Sequence, residues 1–207
     1  MHPFLTTLLC CLLAAPLLAQ PHAPEEPRDP TDKRPVYQIS AFLSPQLLRD
    51  RGFSERRIEQ MRERCRQYVT HYAPIARTEQ AKFGIPASIT LAQAVLESDA
   101  GQTRLAKKFN NHFGIKCFGT ECPDGHCAQH ADDLPTDHFR HFDTNWYSFR
   151  AHSEFLQKPR YQACFQLHPQ DYRGWAYALQ RAGYATDPGY AVKLIHLIEA
   201  LELFQYD

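Results

Sequence analysis

Apolar residues recur at helical spacing in several parts of the chain and predict a mainly helical fold. The predicted helical segments are Ser40 to about Gln80, Ile89 to Ser98, Tyr147 to Gln157, Asp171 to Arg181 and Pro188 to Leu203. Pro74 is expected to interrupt the first segment, which then holds two or three helices. Asp187 followed by Pro188 predicts an N-cap and the first helical position of the last segment.

Between Phe113 and Phe142 the helical pattern stops, and glycines, prolines and three cysteines occur instead. This composition favours short strands and turns. No internal repeat is visible. The pattern therefore predicts one mainly helical domain of the α+β class with a small β insertion.

The segment from Ile89 to Ser98 is apolar nearly all round, except for a polar stripe formed by Thr90, Gln93 and Glu97. Such a helix is buried. Burial and the negative end of the helix dipole both disfavour a carboxylate at Glu97, so its pKa should rise and suit a general acid. The alternative is a Glu97 that reaches solvent or pairs with an arginine such as Arg104.

The N-terminal part predicts an exported protein. Residues 3–19 are apolar, uncharged and short for a bilayer span, and they contain Pro16. We therefore predict a cleaved signal peptide at 1–20, a proline-rich flexible tether at 21–37, a folded domain at 38–207, and no transmembrane helix after cleavage. A lipid-modified cysteine at Cys10 or Cys11 is the alternative.

Charge and motifs exclude several functions. Lys and Arg number 23 against 23 Asp and Glu, and no basic patch stands out, so nucleic acid is not an expected partner. No nucleotide loop, HExxH or GxSxG motif occurs. We expect a monomer that needs no cofactor and no metal.

A cluster of cysteines and histidines leaves two alternatives open. Thiolates and imidazoles at short spacing hold zinc in some proteins, but these cysteines follow a C-x4-C-x4-C pattern without the usual CxxC pair. In an exported chain a disulfide is favoured over zinc, and its partners cannot be assigned from the sequence. The residues concerned are Cys117, Cys122, His126, Cys127 and His130.

Two stretches, IPASITLAQAVLESDAGQTRLAKKFNNHFGIKC and RAGYATDPGYAVKLIHLIE, resemble the bacterial glucosaminidase family of peptidoglycan hydrolases, which includes flagellar muramidase-like and autolysin domains. The resemblance covers roughly Tyr72 to Asp207. It implies a lysozyme-like helical lobe and a small β-hairpin lobe that flank a substrate cleft. It also implies that Glu97 is the catalytic acid.

Glycosidic hydrolysis usually takes a second carboxylate across the cleft. The resemblance places it in the β lobe, where HADD has the best spacing, so we predict Asp132 with Asp133 close behind. The other candidates are Glu121 and Asp124. A solvated turn is the competing interpretation of the Asp pair.

The resemblance also places Tyr184 near the acid and the N-acetyl group of the sugar, where a phenol can donate a hydrogen bond. The predicted substrate-binding residues are Gln93, Asn110, Asn111 and Asp133. For the two asparagines, turn geometry is an equally good interpretation. One departure from the family pattern is Tyr147, where the family often has a glutamate.

These residues together predict an endo-β-N-acetylglucosaminidase that acts on peptidoglycan glycan strands, in the periplasm or at the cell surface. A lytic transglycosylase or muramidase is the alternative within enzymes. A cell-wall binding module with weak catalysis is the alternative outside them.

Overall fold

The computed structural model describes residues 37–117, 127–129 and 138–207. Eight α-helices occur in these ranges, together with 3₁₀ helices at Pro159–Gln166 and Leu203–Tyr206. The α-helices are α1 Ser40–Leu43, α2 Pro45–Asp50, α3 Glu55–Phe83, α4 Ala87–Ser98, α5 Arg104–Phe109, α6 Asn145–Leu156, α7 Tyr172–Arg181 and α8 Tyr190–Ala200. The prediction of a mainly helical α+β fold is confirmed.

The long helix α3 shows how local sequence sets its limits. The Ser54 side chain caps its start by accepting a hydrogen bond from the backbone N–H of Arg57, and Gly84 ends it in the left-handed conformation at φ 74°. The expected interruption at Pro74 is wrong, because Pro74 lies inside one continuous helix of 29 residues. Pro74 is exposed, and on the solvent side of a helix water can replace the backbone hydrogen bond that proline removes.

Helix α4 lies at the centre of the main core. It packs against α3, α7, α8 and the 3₁₀ helix at Leu203–Tyr206. Its apolar side chains, apart from the partly buried Leu96, are fully buried in a cluster that extends to Phe149 of α6 and Trp175 of α7. The nearly all-apolar composition of this segment is therefore explained by burial on nearly every side.

Helix α8 begins later than the sequence pattern predicts. Gly189 is its N-cap residue, and Pro188 lies in the preceding turn. Asp187 still serves the helix start, since its carboxylate accepts a hydrogen bond from the Gly189 N–H (2.8 Å) and pairs with Lys193 of the first turn. The 3₁₀ helix at Pro159–Gln166 was not predicted.

The β insertion is confirmed for the part of the lobe that the structure describes. Strands β1 (Cys127–Gln129) and β2 (His138–Arg140) pair antiparallel, with Ala128 opposite Phe139. Within the described residues, no helix has the length and apolar character needed to cross a membrane. Residues 1–36 lie outside them, so the signal peptide and the tether stay predictions.

Candidate active site

Helix α4 is held at both ends by residues from distant parts of the chain. At its start, the Asp207 carboxylate accepts hydrogen bonds from the Ser88 N–H (2.8 Å) and the Ser88 hydroxyl (2.7 Å). At its end, Asp99 adopts the left-handed conformation and its carboxylate accepts the Ile39 N–H (3.1 Å). These anchors fix the position of the last turn, which carries Glu97.

Glu97 has the environment that the sequence predicts for a general acid. Burial raises the pKa of its carboxyl from the ordinary value of 4.5 to about 7, and a hydrogen bond from Tyr190 opposes that rise. The Tyr190 hydroxyl donates to Oε1 of Glu97 over 3.2 Å. A carboxyl with this pKa holds a proton in a large fraction of molecules at neutral pH, so it can donate one. The expected alternative pairing with Arg104 is absent from the hydrogen bonds and ion pairs found among the described residues.

A chain of hydrogen bonds runs from Glu97 into the core. The Gln93 amide donates to the Tyr190 hydroxyl (3.0 Å), and Nε2 of His152 on α6 lies 3.0 Å from Oε1 of Gln93. Gln93 is 0% exposed. Both ends of its amide are occupied within the protein, which favours a positioning role; direct contact with substrate stays a prediction.

Tyr184 lies beside the acid but is not the tyrosine that contacts it. Its ring stacks on Tyr190, with centroids 5.5 Å apart and planes 25° apart. Burial raises the pKa of the Tyr184 phenol well above 10, and the nearby Glu97 charge raises it further. Tyr184 therefore lies against Tyr190, the tyrosine that contacts Glu97, while its contact with the N-acetyl group stays a prediction.

Tyr190 is the site residue that sequence reasoning missed. It is the first residue of α8, it is buried, and it belongs to the same GYATDPGYA stretch as Tyr184. The available signal was a tyrosine at the start of a mostly apolar helix. Helical periodicity assigns such a residue to the core, and only the tertiary structure shows its hydroxyl on Glu97.

The two predicted asparagines occupy the junction between the helical lobe and the β lobe. Asn110 has φ 51° at the end of α5, and its amide donates to the Phe142 carbonyl (2.8 Å). The Asn111 amide donates to the carbonyls of Ile115 and Arg140 (2.9 Å each), and Asn111 is 1% exposed. The geometry favours the structural interpretation for both, and contact with substrate remains a prediction.

A second polar network holds the other side of the α4 end. The Ser98 hydroxyl donates to the Ala94 carbonyl and accepts the Gly101 N–H, and it lies 3.3 Å from the Tyr68 hydroxyl. The Tyr68 hydroxyl in turn lies 2.7 Å from Nδ1 of His112. This network ties the turn after Glu97 to α3 and to the segment that leads into the β lobe.

The β lobe contains a disulfide between Cys117 and Cys127. Their pairing confirms the disulfide interpretation and removes two of the candidate zinc thiolates. The other members of the cluster, Cys122, His126 and His130, lie outside the described residues. The same holds for the candidate second acids Glu121, Asp124, Asp132 and Asp133, so their roles stay predictions.

The site and the fold together define a class. A carboxyl with a near-neutral pKa at the end of a buried helix, in a helical fold that also contains a small antiparallel hairpin, is the arrangement of a lysozyme-like glycoside hydrolase. A family model described as Glucosaminidase, mannosyl-glycoprotein endo-beta-N-acetylglucosaminidase, matches residues 73–203. The chain belongs to this family.

Similar proteins agree with this assignment. The chain is 35% identical over 144 residues to the exo-glucosaminidase LytG of Bacillus subtilis, an alignment that covers 61% of this chain and 48% of LytG. It is 32% identical over 145 residues to the peptidoglycan hydrolase FlgJ of Vibrio parahaemolyticus, covering 65% and 47%. The chain thus spans about half the length of both proteins.

The fold matches solved structures as well. A peptidoglycan hydrolase from Sphingomonas sp. A1 superposes with a TM-score of 0.58 at 29% identity, over 68% of this chain and 92% of that one. The glycoside hydrolase domain of Salmonella typhimurium FlgJ gives 0.54 at 28% identity, over 68% and 90%.

Proposed function

We propose that this chain is an exported peptidoglycan hydrolase, an endo-β-N-acetylglucosaminidase that cleaves the β-1,4 bond on the reducing side of N-acetylglucosamine. The observation that carries the proposal is Glu97, whose carboxyl has a pKa of about 7 at the end of a buried helix. Glycan hydrolysis needs a proton donor to the leaving oxygen, and a carboxyl with this pKa is protonated in part at neutral pH.

In the proposed reaction Glu97 protonates the glycosidic oxygen as the bond breaks. Tyr190 donates to Oε1, so the transferable proton resides on Oε2 of Glu97. When the proton has left, the same hydrogen bond stabilises the new carboxylate. Asp132, or Asp133 beside it, activates water or stabilises the oxocarbenium-like centre, and Tyr184 holds the N-acetyl group, which can itself assist.

The similar proteins support the substrate class. LytG is named an exo-glucosaminidase and FlgJ a peptidoglycan hydrolase. Peptidoglycan lies outside the cytoplasmic membrane, which agrees with the signal peptide proposed at 1–20. Because LytG is named an exo-enzyme, whether this chain cleaves within glycan strands or at their ends needs its own measurement.

The test is digestion of purified peptidoglycan by the protein and by Glu97→Gln, followed by mass spectrometry of the reduced products. Glu154→Gln is a matched control, because it makes the same chemical change at an exposed position on α6. We expect fragments with reducing N-acetylglucosamine ends from wild type and from Glu154→Gln. Glu97→Gln should lose at least about a hundredfold in rate, the usual contribution of a general acid.

The products separate this proposal from its alternatives. Release of single sugars instead of oligosaccharides would show an exo-enzyme. Reducing muramic ends would show a muramidase, and anhydro-muramic ends a lytic transglycosylase. Binding to the sacculus without any release would show a binding module.

A further inference from the structure

His152 is a buried histidine that the proposed reaction does not use directly. It is 1% exposed and its ring stacks on Phe113, with centroids 4.0 Å apart and planes 16° apart. Burial lowers the pKa of the imidazole from 6.5 to about 3, so the ring is neutral at working pH. A neutral imidazole has one N–H donor and one acceptor nitrogen.

The surroundings of the ring decide which nitrogen carries the proton. Nδ1 of His152 is buried and has no hydrogen-bond partner in the described part of the chain, whereas Nε2 lies 3.0 Å from the Gln93 amide. A proton on Nδ1 would leave a buried N–H unpaired, which is costly. The proton therefore belongs on Nε2, and Gln93 must present its oxygen to it.

This choice sets the direction of every hydrogen bond up to the acid. With its oxygen turned to His152, Gln93 presents its NH₂ group to Tyr190. The Tyr190 oxygen then accepts from Gln93, and its own hydrogen is free to point at Glu97. If the Gln93 amide were reversed, Tyr190 would donate to Gln93 and Glu97 would lose this donor.

We propose that His152 is a positioning residue that fixes the Gln93 amide, so that the Tyr190 hydroxyl always donates to Oε1 of Glu97. The proposal rests on the proposed function of Glu97 as the acid. It assigns a purpose to a chain of hydrogen bonds that crosses three helices, α6, α4 and α8, inside the core.

The groups that face this chain from the packed elements are neutral in the relevant pH range. Tyr184 and Tyr190 face Glu97, and burial raises the pKa of both phenols well above 10. Tyr184 also lies edge-on to His152, with centroids 6.2 Å apart. Tyr161 approaches Tyr184, and burial raises its pKa as well. Of the groups in this chain of hydrogen bonds, Glu97 is then the one that titrates near pH 7.

The test compares pH profiles at low substrate concentration, where the rate follows kcat/KM. His152→Phe keeps a ring that can stack on Phe113 but lacks the N–H. Without that N–H the amide can reverse, the donor to Glu97 is lost, and the pKa of Glu97 rises. We expect the alkaline limb of the profile to shift to higher pH by about one unit. His152→Gln, whose amide can supply an N–H to Gln93, should move it back.

The Tyr190→Phe background provides a matched control. Tyr190→Phe alone should shift the alkaline limb to higher pH by a similar amount, and adding His152→Phe should produce no further shift. A lower melting temperature with an unmoved limb would show that His152 only fills space, and would overturn the proposal. An additional shift in the Tyr190→Phe background would also overturn it.

A measurement without turnover separates this proposal from the proposed function. Nitrogen-15 NMR of wild type reports the His152 tautomer directly, and we expect the proton on Nε2 from pH 5 to pH 8. A proton on Nδ1 would overturn the proposal even if the enzyme is active. An inactive wild type with the Nε2 tautomer would instead reject the proposed function and leave the positioning of Gln93 supported.

Discussion

Replacing Glu97 by glutamine tests the burial of the acid through stability alone. The Glu97 carboxyl has a pKa of about 7 in the folded protein against 4.5 ordinarily. The folded state therefore binds the proton more tightly, and the free energy of unfolding falls as pH rises from about 4.5 to about 7. Glutamine is neutral at every pH and escapes this loss.

The magnitude follows from the two pKa values. Each pH unit between them corresponds to about 1.4 kcal/mol, so the full effect is about 3 kcal/mol. Below pH 4, where Glu97 is protonated in both states, the variant and wild type should differ little. At pH 8 we expect Glu97→Gln to be more stable than wild type by about 3 kcal/mol.

The assay is urea unfolding of both proteins at pH 4 and pH 8. Asp99 also has a raised pKa, about 6, because of burial, but it is present in both proteins and its contribution cancels in the difference. Glu154→Gln, at its exposed position, should show no such gain at pH 8. A difference between Glu97→Gln and wild type that stays constant from pH 4 to pH 8 would refute the desolvation of Glu97 and, with it, the basis of the general-acid assignment.

Three further substitutions test the support of the site by urea unfolding at pH 7. Glu79 is 0% exposed and accepts hydrogen bonds from Nε and Nη2 of Arg150. Glu79→Ala should therefore lower the free energy of unfolding by about 3–5 kcal/mol, and the double variant Glu79→Met with Arg150→Met by clearly less. Equal losses in the two variants would contradict a buried charge pair. Asp207→Ala removes the cap of α4 and should cost about 1 kcal/mol, with Asp207→Asn nearer wild type; no loss would show that the cap is dispensable. Gly101 has φ 76°, and a Cβ added there would lie 3.0 Å from the Tyr68 ring. Gly101→Ala should therefore lower the free energy of unfolding by about 1–3 kcal/mol. An unchanged stability would mean that the turn after α4 relaxes freely.

Local patterns predicted the helices well because burial and capping are visible in the sequence. The polar stripe of α4 in an apolar segment indicated both a buried helix and the raised pKa of Glu97. The cap at Asp171 lies where the predicted segment from Asp171 to Arg181 begins. In such segments a few neighbouring residues decide the structure.

The two errors at prolines have different causes. Pro74 does not break α3, because buried residues on both sides of it hold the helix against the core while Pro74 faces solvent. Pro188 does not begin α8, because Asp187 bonds to the Gly189 N–H and closes a turn first. The first outcome depends on how α3 packs against the core, whereas the second is a local turn that the helical pattern does not distinguish from a helix start.

The site itself depends on contacts between residues far apart in the chain. Asn111 resembles a sugar-binding residue in the sequence, yet its amide joins the lobes by accepting and donating backbone hydrogen bonds. Tyr190 resembles a core residue, yet its hydroxyl lies on the acid. Asparagine and tyrosine side chains can each take either a structural or a functional role, and the groups that they contact in the folded protein decide which one.

The same contacts explain why a buried acid can work in this fold. Burial alone raises the pKa of Glu97, but an isolated buried carboxylate would be too costly to form once the proton has been given away. Tyr190 supplies one hydrogen bond to that carboxylate, and it arrives from α8, 93 residues further along the chain. In the proposed reaction the core around α4 would thus do two things: it keeps the proton on Glu97 near neutral pH, and it holds the donor that stabilises the charge left behind.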